Sequence, residues 1–116
     1  MARVVVLAAD LMLASRVTTS LGAEGHQVEQ RSSVPDEARA LRRSDPFDEA
    51  VDMVVADLDA VEPERLADLG MPVIGFHQHT DTDTKRRAEA AGIDLVVPRS
   101  RMVRELPELA RRLLGG

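Results

Sequence analysis

The sequence predicts an α/β domain in which a parallel sheet lies between two layers of helices. Three observations carry this. Four short, β-branched apolar runs show almost no polar alternation, the habit of strands covered on both faces. Segments with apolar residues at helical spacing fall between them. Strand and helix alternate five times along the chain, and regular alternation of this kind builds a parallel sheet.

The first strand is Val4 to Ala8. Leu13, Val17 and Leu21 then recur at i, i+4, i+8 as the buried stripe of a helix that Gly22 or Gly25 stops. His26 to Gln30 is more polar and reads as an edge strand. Val34, Ala38 and Leu41 mark a second helix, with Pro35 in its first turn, where a missing N–H costs nothing. The longest expected loop is Ser44 to Ala50. Met53 to Ala56 is the third strand. Leu66 and Leu69 mark a short third helix after Pro63, ended by Gly70. Pro72 to Phe76 is the fourth strand. Thr84, Ala88 and Ala91 mark a fourth helix before Gly92, and Ile93 to Val97 is the fifth strand. Val103, Leu106, Ala110 and Leu113 mark the last helix, and Pro107 inside that pattern predicts a break near Leu106. Right-handed crossovers favour a flavodoxin-like strand order of 2-1-3-4-5, in three layers.

At 116 residues the chain is one domain, 1–116. An apolar fraction of 44% with 30% charged residues suits a globular chain and not a disordered one. There is no Cys, which excludes disulfides, thiol catalysis and thiolate metal sites. Phe47 and Phe76 are the only aromatics, too few for a base-stacking platform. A net charge of −5 repels a phosphate backbone, so no nucleic-acid partner is expected. No apolar stretch reaches the roughly 20 residues of a membrane span, so no membrane partner is expected either. Met1 to Ala9 reads as a strand and not a signal peptide, and a cytoplasmic, bacterial-type protein is expected. Neither G-x-G-x-x-G nor a Walker-type loop occurs, and no cofactor is expected.

Open parallel sheets bind at the carboxyl ends of their strands, near the point where strand order reverses. The residues expected there are Ala8, Ala9 and Asp10, then Asp57 and Asp59, then His77, Gln78 and His79, then Pro98, Arg99 and Ser100. Asp10, Asp57, Asp59, His77 and His79 could converge on a metal, since mixed N/O ligation suits a transition ion. The bland alternative is a set of solvated and hydrogen-bonded side chains, and no metal is expected to be resident.

Four stretches resemble the receiver domain of two-component response regulators: Val51 to Asp59, Leu21 to Val28, Pro72 to His79, and Arg86 to Ser100. The resemblance implies the flavodoxin-like fold, a role in phosphorelay signalling, no enzymatic turnover, and Asp57 at the phosphoacceptor position. The departures fall on the chemistry. Where the family carries adjacent acids that hold Mg²⁺, Ala8 and Ala9 stand, with Asp10 one step later; a methyl group offers a hard cation no oxygen. Where the family carries a Lys at the end of the fifth strand, Pro98 or Arg99 stands; the only Lys is Lys85. His77 occupies the position of the switching Thr or Ser. The stretch between Asp57 and Pro72 is short, so the third helix must be shortened.

Phosphoryl transfer to a carboxylate needs metal and Lys to neutralise charge. The sequence therefore reads as a degenerate receiver, or pseudo-receiver, serving as a protein-interaction module. The alternatives are an atypical phosphoreceiver that uses Asp57 with Asp10 and Asp59 as ligands, and a small metal- or ligand-binding domain. The resemblance places the interaction surface, for a homodimer or another protein, on the fourth helix, fifth strand and fifth helix. Arg87, Arg101 and Arg104 would supply charge there, and Met102 would be exposed beside the Pro107 break. Arg101 with Glu105, Arg104 with Glu108 and Glu108 with Arg112 are i, i+4 pairs, so a merely solvated helix face is the competing reading.

Overall fold

The computed structural model describes residues 2–31, 50–78 and 82–115. In chain order these form β1 (Arg3–Leu7), α1 (Leu11–Gly22), β2 (Gln27–Arg31), β3 (Met53–Asp57), α2 (Pro63–Ala67), β4 (Val73–His77), α3 (Thr82–Ala91), β5 (Leu95–Pro98) and α4 (Arg99–Leu113). The helix expected over Val34, Ala38 and Leu41 and the loop expected from Ser44 lie outside the described residues. All pairings are parallel and the strand order is β2-β1-β3-β4-β5, as the apolar runs predict.

Alternate residues of each strand feed two cores. Val4 and Val6 of β1 face α1 and α4, where they meet Leu13, Val17, Leu21, Met102, Leu106 and Leu109. Val5 and Leu7 face the opposite layer and meet Val54, Leu66, Ala88 and Ile93. Double coverage explains why the strands lack polar alternation.

At the amino ends of the strands, side chains fix the starts of neighbouring strands. The Arg3 N–H donates to Asp52 Oδ2 (2.9 Å), and the Val73 N–H donates to Asp94 Oδ2 (2.9 Å). The Ala2 N–H donates to His26 Nδ1 (3.1 Å). Gly25, at φ +88°, turns the chain out of α1 into β2, and the His26 N–H donates to the Leu21 carbonyl.

Two helices differ in instructive ways. α2 has only five residues, in line with the short spacing after Asp57. α4, by contrast, does not break: it runs unbroken through Pro107. Its apolar stripe is buried on both sides of the proline, through Met102 and Leu106 before it and Leu109 and Ala110 after it. Burial on both sides outweighs the lost hydrogen bond and ring clash, which cost about 3 kcal/mol in a helix interior. The same burial overturns a second expectation. Met102 is 0% exposed and belongs to the core, not to an exposed contact surface.

Candidate site at the carboxyl edge of the sheet

The site is assembled where β1, β3, β4 and β5 end. After Leu7 the chain places Ala8 in the core, 1% exposed, and leaves Ala9 on the surface. The Ala8 carbonyl accepts from Gln30 Nε2 (3.0 Å), which ties this turn to β2. Asp10 follows in extended conformation and caps α1. Its Oδ1 accepts from the Met12 N–H (3.0 Å) and the Leu13 N–H (3.2 Å), two donors the helix leaves unsatisfied. Its Oδ2 accepts from Arg99 Nη2 (3.1 Å). One carboxylate thus joins the start of α1 to the start of α4, across 89 positions of sequence.

Asp57 is the last residue of β3 and is half-buried. Its Oδ1 accepts from the Asp59 N–H (2.9 Å), and its carbonyl accepts from Ala60 and Val61, closing the turn toward α2. Asp59 Oδ2 in turn accepts from the Gln78 N–H (3.0 Å), which holds the end of β4. Between these acids Leu58 packs over Gly75. A Cβ at position 75 would lie 2.9 Å from both Leu58 methyls, so only glycine leaves the β3 turn its seat.

The two carboxylates are pushed in opposite directions. Burial raises the Asp57 carboxyl above the ordinary range; the Asp59 N–H opposes this, the Asp59 and Asp10 charges add to it, and Arg99 opposes it. The Leu13 N–H holds Asp10 below the ordinary range, with Arg99 and Met12 assisting and burial opposing.

The structure therefore brings Asp10, Asp57, Asp59 and Arg99 into one field. Pro98 ends β5 opposite His77 and serves as the uncapped start of α4, so Arg99 is the cation at this edge. His77 is buried, 6% exposed, at the end of β4. His79 lies outside the described residues. Among the described residues no three His, Asp or Glu side chains are grouped so as to hold a metal ion.

On the surface that was expected to bind a partner, Arg87 Nη2 meets Glu64 Oε1 at 2.6 Å and braces α3 on α2. Arg101 pairs with Glu105 at 3.3 Å as its i, i+4 spacing predicts. Arg104 turns to the same Glu105 at 3.3 Å. Asp94, directly before β5, is committed to the Val73 N–H.

Sequence reasoning missed two features. Asp10 directly before an apolar helical period is a helix-cap signal in the sequence, a role that its position beside Ala8 and Ala9 masks. Leu11 and Met12, 70% and 81% exposed, carry no motif that singles them out in the sequence; their place outside the Leu13–Val17–Leu21 stripe is the available clue.

No family model and no curated protein matches this sequence. Solved structures do match. A response regulator from Thermotoga maritima is 19% identical with a TM-score of 0.73, covering 100% of this chain and 99% of that one. A CheY-like receiver domain protein from Methanospirillum hungatei is 18% identical with a TM-score of 0.77, covering 99% and 94%. NtrX from Brucella abortus is 18% identical with a TM-score of 0.77; the match covers 98% of this chain but 27% of that one. The likeness is one of fold: this chain has the fold of response-regulator receiver domains.

Proposed function

We propose that this chain is a non-catalytic, receiver-like signalling module that acts by binding another protein and is not phosphorylated at Asp57 by the usual Mg²⁺-dependent route. The observation that carries the reading is the Asp10–Arg99 pair. Asp10 is the acid nearest the vacated metal positions, and its oxygens are taken by two helix N–H groups and a guanidinium.

The remaining donors support the same conclusion. Ala8 and Ala9 bring no side-chain oxygen, and Asp59 holds the Gln78 N–H. A magnesium ion wants near-octahedral oxygen ligation, and these residues do not fit it. Asp57 retains its place at the end of β3, yet burial disfavours its charge, and the neighbouring Ala8 and Ala9 side chains offer no oxygens to hold a divalent ion that would offset a phosphoryl group. Interaction is the function left to a receiver fold without its reaction.

Incubation with Mg²⁺ and a small phosphodonor, followed by intact mass measurement, tests this. The expected result is an unchanged mass. A stoichiometric gain of one phosphoryl group that disappears in Asp57→Ala would establish the atypical phosphoreceiver instead.

A further inference from the structure

The β2 residues that share a face with Val5 and Leu7 are polar. The parallel register sets Gln27 beside Arg3, Glu29 beside Val5 and Arg31 beside Leu7, and partners in register share a face. On β3 that face carries Val54 and Ala56, both in the core. On β2 it carries Gln27, Glu29 and Arg31, which with Arg3 and Val5 line a pocket of about 450 Å³ at the β1–β2 side of the sheet.

The charged lining of this pocket is two arginines to one glutamate. Glu29 serves both. Its Oε1 lies 3.2 Å from Arg31 Nη2, and its Oε2 lies 3.9 Å from Arg3 Nη2. Glu29 thus meets Arg31 at Nη2 and leaves Nε unserved: that atom is buried and has no acceptor among the described residues. A desolvated N–H without an acceptor is costly, and folded proteins seldom leave one without a reason. The Arg31 side chain as a whole is 31% exposed, so the guanidinium is within reach of a ligand. Nε–H and one Nη–H of a guanidinium project side by side, a fork whose spacing matches two oxygens of one carboxylate or phosphate.

We infer that the β1–β2 pocket binds a small oxyanion, a carboxylate or phosphate monoester group, gripped side-on by the Arg31 fork with the Arg3 guanidinium adding charge and the Gln27 amide a further donor. Val5 supplies the apolar floor. Glu29 competes with the ligand for the same two cations and so sets its affinity. The site shares no side chain with the cluster around Asp57, and the inference does not rest on the proposed signalling role.

Amide shifts during titration with inorganic phosphate and, separately, malonate, at ionic strength held constant with chloride, test this. Saturable shifts at residues 3–5 and 27–31 are expected. Saturation by phosphate alone identifies a phosphate ligand, by malonate alone a carboxylate, and by both a site that reads the oxyanion only; each supports the inference. Glu29→Gln removes the competing carboxylate and is expected to tighten binding about threefold or more. Arg31→Lys keeps the charge but loses the fork, and is expected to weaken binding about tenfold. Unchanged circular dichroism verifies the fold of both variants, and the gain in Glu29→Gln decides the matter should Arg31→Lys not fold. Shifts that stay linear with both anions, weaker binding in Glu29→Gln, or unchanged binding in a folded Arg31→Lys would each overturn the inference.

Discussion

Asp57 and Asp10 sit at one edge of one sheet and respond oppositely to their surroundings. Asp57 is raised in the folded state, chiefly by burial, so its ionisation opposes folding. That penalty is absent below the unfolded value, near 3.8, grows as pH rises through the interval up to the folded value, and is complete above it. Asp57→Asn should therefore raise the urea midpoint at neutral pH, and the gain should vanish in acid; denaturation curves across pH measure both. Asp10 is lowered in the folded state, first by the Leu13 N–H. Its contribution is complete above the unfolded value and is lost as pH falls through the folded one. Asp10→Ala should lower the midpoint at neutral pH and remove that acid-side loss. Gly75→Ala drives a methyl into Leu58 and should cost about 1–3 kcal/mol by the same measurement.

α4 shows where local propensity yields to packing. Its four buried residues lie on both sides of Pro107, so the proline is carried by contacts that a sequence window cannot see. Pro107→Ala should leave the helix bounds unchanged and stabilise the protein by about 1–3 kcal/mol, the recovered hydrogen bond being partly offset by a more flexible unfolded chain. Met102→Ala should cost about 2–5 kcal/mol, as for a core residue, where a surface contact residue would cost almost nothing. The strands were legible because burial on two faces leaves an unmistakable composition. The short α2 was legible from spacing alone. The fate of Met102 was not, because the proline suggested a break and a break would have turned that face outward. At the site, the placement of Ala8, Ala9 and Asp10 directly after β1 was legible in the sequence. That Asp10 would join two helix starts through Arg99 was not, since the pair spans 89 positions and depends on the strand order.

At the scale of the molecule, β1 and β3 are central while β2 and β5 are edges. Amide hydrogen exchange should be slowest at Val4 to Val6 and Val54 to Ala56, and faster at residues 27–31. The same topology separates two kinds of acid. Asp52 and Asp94 hold strand starts at the amino edge, while Asp10, Asp57 and Asp59 gather at the carboxyl edge around Arg99. At that carboxyl edge Asp10, Asp57 and Asp59 each accept hydrogen bonds from within the chain.

The central claim is that Arg99 and backbone N–H groups, and not a divalent cation, satisfy the carboxylates around Asp57. Amide resonances of residues 57–59 during titration with Mg²⁺ to millimolar concentration test it most directly. The account predicts no saturable shift at these positions. A saturable shift centred on Asp57 and Asp59, lost in Asp57→Asn, would contradict it.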